Sequence, residues 1–301
     1  MLFLRRAFTT LSAPCLVLEK TKTFDKFSFF IKWYNKFLFS VFSIDSSLGQ
    51  DSDIKHKTMK ESITDRYFTT SDEIKLHYLT AGKGPTIVIQ PGWMMPADIF
   101  IPQLEKLSNS FKIIVLDPRG QGQSEDSPDN NYIERRTRDL FELIAHEKVY
   151  TFILAGWSLG VPEVLYFLDK YGMSQLRGLI LIDGPIKTDL PEVQSGWKSL
   201  INWLQKDRSG LEKVFMDALF NKEHDEEFIT LIQKRLANTP TNSSFVAMGT
   251  HDAEPRDYST ILEKVQVPIL ITYSPTWKNQ SDKFKEANTS LFMRALPVLP
   301  A

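Results

Sequence analysis

Phe152-Ile153-Leu154-Ala155-Gly156-Trp157-Ser158-Leu159-Gly160 is an apolar strand running into G-x-S-x-G, and residues 161–171 behind it have helical character. That order is the sequence form of a nucleophile elbow, in which a serine sits on a sharp strand-to-helix turn with its hydroxyl raised above a sheet. The flanking glycines are needed because side chains would collide where strand and helix pass closely. G-x-S-x-G alone carries little weight, since average Gly and Ser usage gives about 0.1 chance matches in a chain of this length. The surrounding rhythm is what gives it meaning.

Strands alternate with helices from Asp65 onward. Residues 66–69 and 74–80 flank Ser71-Asp72-Glu73 and read as a hairpin. Gly82-Lys83-Gly84-Pro85 is a turn, Thr86–Gln90 a short buried strand, and residues 99–107 a helix. Residues 113–116 are consecutively apolar, as expected of a parallel strand covered on both faces, and residues 179–182 and Ile269–Tyr273 read the same way. Residues 134–145 form an amphipathic helix with Leu140, Leu143 and Ile144 on one face. The pattern predicts an α/β fold with a doubly wound, mostly parallel sheet. Between Pro185 and Gln266 no strand is evident, and residues 199–204, 211–220 and 226–236 carry helical periodicity. An all-helical insert between two sheet strands reads as a lid. Its Trp197, Trp203, Phe215 and Phe220 either line a pocket or pack the lid onto the core. The expected domains are an extension over 1–60, a core over 61–185 and 267–301, and a lid over 186–266.

The extension is basic and aromatic. Phe27, Phe30, Ile31, Tyr34, Leu38 and Val41 recur at helical spacing, with Lys26, Lys32 and Lys36 off the stripe. One reading is an interfacial helix over residues 26–44 on a membrane surface or a partner. The competing readings are an extra helix packed on the domain, or upstream sequence translated from the wrong start, with Met59 opening the domain. Residues 1–14 hold Arg5, Arg6, Thr9, Thr10 and Ser12 without an acid, a composition similar to a mitochondrial presequence. The expected compartment is cytoplasmic, with a mitochondrial alternative. No apolar run reaches the roughly 18 residues of a membrane-spanning helix. The formal net charge of −1 gives no electrostatic reason to expect a nucleic-acid partner. Cys15 is the only cysteine, which excludes an intrachain disulfide and a thiolate zinc cluster. No His-rich ligand spacing accompanies it, so neither metal nor haem is expected.

Four blocks in order and spacing resemble an α/β-hydrolase, most similar to the non-haem haloperoxidase and esterase group. Ile87-Val88-Ile89-Gln90-Pro91-Gly92-Trp93 resembles that group's strand and H-G-W oxyanion turn, with Pro91 where histidine is usual. Asp117-Pro118-Arg119-Gly120-Gln121-Gly122-Gln123-Ser124 resembles the D-x-R-G-x-G-x-S loop, and the elbow follows. Leu181-Ile182-Asp183, the helical insert and Val267-Pro268-Ile269-Leu270 complete the order over residues 63–294. The resemblance implies a small acyl substrate, Ser158 as nucleophile, and an oxyanion hole made by the backbone N–H groups of Trp93 and Leu159. Leu159 opens a helix, where unpaired N–H groups and the dipole favour negative charge. Haloperoxidase behaviour, as the resemblance implies, is perhydrolysis of a carboxylic acid on the same serine.

The acid and the base depart from the family pattern. No acid occupies the usual place after Ile269–Tyr273, so Asp183 at the end of the preceding strand is preferred and Asp282 is the second candidate. The usual histidine follows the last strand, expected here at Leu291–Ala295, and none occurs after His251. His56 precedes the domain, His77 lies in a strand, His146 ends a helix and His224 sits in a charged turn. His251, beside Asp252, is the one histidine near a candidate pocket mouth. The expectation is therefore a C-terminal region truncated before its histidine loop and closing helix. A non-catalytic small-molecule binding protein and a membrane-associated adaptor are the alternatives.

Overall fold

The structure, a computed structural model, describes residues 63–220, 224–273 and 291–295. Cys15, His56, the aromatic stripe over residues 26–44 and Asp282 lie outside these residues. An eight-stranded sheet organises the molecule, in the order β1-β2-β4-β3-β5-β6-β7-β8. Its strands are β1 (Thr64–Thr69), β2 (Lys75–Ala81), β3 (Thr86–Gln90), β4 (Lys112–Leu116), β5 (Phe152–Trp157), β6 (Leu176–Ile182), β7 (Ile269–Tyr273) and β8 (Leu291–Ala295). β1 and β2 form the expected antiparallel hairpin and β2 also pairs antiparallel with β4, while every pairing from β4 through β8 is parallel.

Period-two alternation explains why the central strands are apolar throughout. Val88, Ile114, Leu154, Leu179 and Leu181 face one side and meet Val164, Leu165 and Leu168 of α3 (Gly160–Tyr171) and Leu140 and Leu143 of α2 (Ile133–His146). Ile87, Ile89, Ile113, Val115, Ile153 and Ile180 face the other side and meet Phe100, Leu104 and Leu107 on a 3-10 turn (Ala97–Phe100) and α1 (Ile101–Leu107). Both faces are thus covered, as parallel strands require.

Five helices join β6 to β7: α4 (Pro191–Lys206), α5 (Arg208–Leu219), α6 (Glu226–Asn238), α7 (Thr241–Ala253) and α8 (Ser259–Glu263). The first three extend the expected helical stretches. α7 has no clear amphipathic period, and it carries His251. Trp197 and Phe215 are buried in a third apolar cluster with Trp93, Met94 and Leu159, and Trp203 packs against it. These aromatics therefore fasten the insert to the carboxyl ends of the strands. Phe220 instead meets His224 and Phe228 at the insert's margin. Among the described residues no helix is long and apolar enough to cross a membrane.

Candidate active site

Three neighbouring parallel strands, β3, β5 and β6, end in strained backbone. Met94 (φ 62°), Ser158 (φ 53°) and Asp183 (φ 44°) are three of the five non-glycine residues with positive φ among the described residues. Such positions cost about 1–3 kcal/mol each and collect where a site demands a geometry that relaxed chain does not supply. The carboxyl ends of parallel strands are also where ligands bind in open α/β sheets.

The elbow is fixed from both sides. Ser158 N donates to Ile182 O at 2.8 Å, and its carbonyl accepts from Val161 N at 3.0 Å. A Cβ at Gly160 would run into the carbonyl oxygen of Gln90, and one at Gly156 into that of Gly160. The two glycines therefore let α3 pass directly beneath β3 and β5. Ser158 is half-buried and faces the Gly92 turn. A Cβ at Gly92 would stand 3.0 Å from Ser158 Cβ and 3.6 Å from its Oγ.

The Gly92 turn closes with Met95 N donating to Gly92 O at 3.2 Å. Trp93 is buried, its Nε1 donates to Ser244 O of α7 at 2.7 Å, and its ring meets Phe215 edge-on. Leu159 caps α3 with φ −60° and ψ −25°. Among the described residues, neither the Trp93 nor the Leu159 amide has a hydrogen-bond acceptor. Asp183 follows β6, half-buried, with its N donating to Thr272 O at 2.7 Å. The adjoining Gly184 presses on the carbonyl of Ser158. The fold thus brings Trp93, Ser158, Leu159 and Asp183 to one end of the sheet.

The histidines are dispersed. His146 packs on Phe68 and Tyr78. His77 is buried in β2, with Nδ1 2.7 Å from Asp117 Oδ2 and Nε2 3.0 Å from Asp65 Oδ1. Burial pushes the His77 pKa down, but the two carboxylates outweigh it and hold it above the ordinary histidine value. His251 is buried against Trp197, with Nε2 3.6 Å from Glu163 Oε1. Among the described residues no hydrogen bond joins a histidine to Ser158. Nor do three His, Cys, Asp or Glu side chains converge to hold a metal.

A buried polar network under the site was not foreseen from the sequence. Arg136 is 1% exposed, with Nε donating to Glu163 Oε1 at 2.6 Å, Nη1 to Asn131 Oδ1 at 3.0 Å and Nη2 to Gln121 Oε1 at 3.4 Å. Glu163 also accepts from Gln90 Nε2 at 2.5 Å. Burial alone would raise the Glu163 pKa, but Arg136 and His251 overcome it and hold the carboxyl below the ordinary value. Asn131 continues the network to Ser243 of α7 at 2.6 Å. Farther out, Arg119 pairs with Asp139 and Asp72, and Arg235 of α6 reaches Asp98 at 3.0 Å. The signal in the sequence was Arg136 itself, which falls at i, i+4, i+7 and i+8 with Leu140, Leu143 and Ile144 and so interrupts the apolar stripe of α2 with a cation that needs a buried partner.

A family model described as alpha/beta hydrolase fold matches residues 85–273. A Synechocystis sp. protein provisionally named a non-heme chloroperoxidase is 27% identical over 229 residues, covering 69% of this chain and 80% of the relative. Among solved structures, an esterase from Exiguobacterium antarcticum superimposes with a TM-score of 0.69 at 20% identity, over 78% of this chain and 91% of the other. A bromoperoxidase from Bacillus anthracis gives a TM-score of 0.67 at 17% identity, over 77% and 91%. At these identities the structural likenesses establish the fold.

Proposed function

The chain belongs to the α/β-hydrolase fold family, and we propose that it is a serine hydrolase that opens a small carboxylic ester through an acyl-enzyme on Ser158. The observation that carries this reading is the left-handed Ser158, whose Oγ lies beside the Gly92 turn, together with Trp93 and Leu159 amides that have no acceptor among the described residues. Attack of Oγ on the ester carbonyl would place the developing oxyanion against the N–H groups of Trp93 and Leu159. One such donor is worth roughly 2.7–4 kcal/mol in comparable sites. Asp183 is the acid in this reading, ahead of Asp282. A small apolar acyl group fits the surroundings, because Trp93, Met94, Leu159, Trp197 and Met248 pack together over this end of the sheet. The helical insert then acts as a lid.

With no described histidine bonded to Ser158, the expected turnover is slow. Oxyanion stabilisation and binding without a full triad give about 10³–10⁴-fold acceleration over water. The same absence favours a second reading, a non-catalytic protein that binds a small molecule at this end of the sheet.

A fluorophosphonate probe separates the two. The hydrolase reading expects covalent labelling that Ser158→Ala abolishes. Absence of Ser158-dependent labelling in the full chain rejects it in favour of the binding protein.

A further inference from the structure

The Asp117–Ser124 loop has no part in the chemistry just described, yet its side chains converge on the turn that carries Trp93. Gln121 is 4% exposed, and its Nε2 donates to Gly92 O at 3.1 Å and to Met95 O at 2.8 Å. The amide orientation follows from its partners, since two carbonyls demand a donor and the Arg136 guanidinium demands an acceptor. Asp117 secures the next residues, accepting from Ala97 N, and is itself braced by His77 Nδ1 at 2.7 Å and Gln123 N at 2.8 Å.

We propose that Gln121 is the positioning residue that holds the Gly92–Met95 turn in the geometry required for oxyanion binding, with Arg136 fixing Gln121 in turn. The proposal rests on the hydrolase reading for its purpose, though not for its geometry. Three features make a clamp necessary. Met94 is fully buried at φ 62°, a conformation that persists only when its neighbours over-determine it. Gly92 O and Met95 O face the protein interior, and Gln121 Nε2 reaches both. Trp93 N lies between those two carbonyls in the chain and shares a peptide plane with Gly92 O, so any rotation that freed that carbonyl would also re-aim the Trp93 N–H. Trp93 Nε1 on Ser244 O pins the indole, and Met95 N on Gly92 O at 3.2 Å closes the turn, but Gln121 Nε2 is the side-chain donor that ties both carbonyls to the body of the protein. Gln121 therefore touches neither substrate nor Ser158, and acts through the turn.

The test compares the full-length chain with Gln121→Met, which keeps the volume and removes both donors. Gln121→Glu keeps the Arg136 partner and carries the test if the methionine variant does not fold. Gln123→Ala, on the same loop but directed at Asp65, is the control. Hydrogen exchange is read on peptides covering residues 92–97, together with the rate of phosphonate labelling at Ser158. The expected result is exchange accelerated about tenfold or more at Met95, whose N–H closes the turn on Gly92 O, and absent in the control. Labelling should slow by about 10- to 100-fold, with the loss in the maximal labelling rate and not in the half-saturating probe concentration. A general loosening would move both. Unchanged exchange overturns the clamp whatever the labelling does. Faster exchange with unchanged labelling overturns the positioning role. If the wild-type chain shows no Ser158-dependent labelling, the hydrolase reading fails separately. Exchange then decides alone: acceleration sustains Gln121 as the clamp of the turn, and its absence removes it.

Discussion

Replacing Arg136 by methionine is expected to cost about 3–5 kcal/mol of folding stability, the range for stripping a buried carboxylate of its counter-ion. The side chain is 1% exposed and Glu163 is 0% exposed, so water cannot replace the lost partner without opening the core. Methionine restores most of the alkyl volume, and a cavity contributes little. What remains is Glu163 holding one donor, Gln90 Nε2 at 2.5 Å, with His251 Nε2 at 3.6 Å. Asn131 Oδ1 also loses its donor, adding roughly 1–3 kcal/mol at most. Glu163→Gln alone strands the guanidinium and should cost a similar amount. The double variant removes both charges and should be no less stable than the worse single variant, giving a coupling of about 3 kcal/mol or more. Urea unfolding of the four proteins at pH 7 measures the cycle. The pH dependence adds a signature. In the wild type the Glu163 pKa is depressed, so its contribution is present above pH 4.5 and is lost as pH falls through the folded value. In Arg136→Met burial dominates and raises the carboxyl pKa, so the gap to wild type should begin to narrow above pH 4.5 and go on narrowing as pH falls through the depressed wild-type value. Additive single variants, within about 0.5 kcal/mol, together with a gap that does not change with pH, would refute the idea that this pair is coupled.

Two further outcomes follow from the elbow and from β2. Gly160→Ala places a methyl on the Gln90 carbonyl and should destabilise the fold by several kcal/mol, roughly the upper range of point substitutions. Gly92→Ala meets Ser158 Cβ at 3.0 Å and Trp157 O at 3.3 Å, looser contacts than at Gly160, and should lower the unfolding midpoint less than Gly160→Ala while slowing Ser158 labelling about tenfold or more. Equal thermal shifts for the two variants would contradict this division. His77 has a folded pKa above 6.5, so its stabilisation is full below that pH and is lost as pH rises through the folded value. Denaturation midpoints should therefore fall from pH 6.5 upward, and His77→Gln should flatten that slope; an unchanged slope would show that another group sets it.

The legible part of this chain was local. Apolar runs at residues 113–116 and 179–182 and at Ile269–Tyr273 announced parallel strands because both of their faces are covered. G-x-S-x-G announced a strand-to-helix turn because only glycine fits where α3 meets Gln90 O. α7 was missed because its buried face reads as neither amphipathic nor continuous: Ala247, Met248 and His251 are buried among Gly249, Thr250 and Ser244. The aromatic residues of the insert could be noted but not placed, since burial of Trp197 and Phe215 depends on Trp93, more than a hundred residues away.

What the sequence determined alone was therefore the class of fold and the position of Ser158, because a strand, a tight turn and a helix are specified by residues a few places apart. Tertiary structure decided the rest. Arg136 falls on the apolar face of α2 by its spacing, but its partner Glu163 lies on α3, and only the packing of α2 against α3 brings the two charges together. Gln121, one letter within a glycine loop, becomes a clamp only when β4 delivers that loop beside the end of β3. The Leu159 amide is the neighbour of Ser158 in the chain, but the Trp93 amide comes from a separate segment, and no local pattern fixes its distance from the hydroxyl. The sheet fixes it, by holding β3, β5 and β6 in one register.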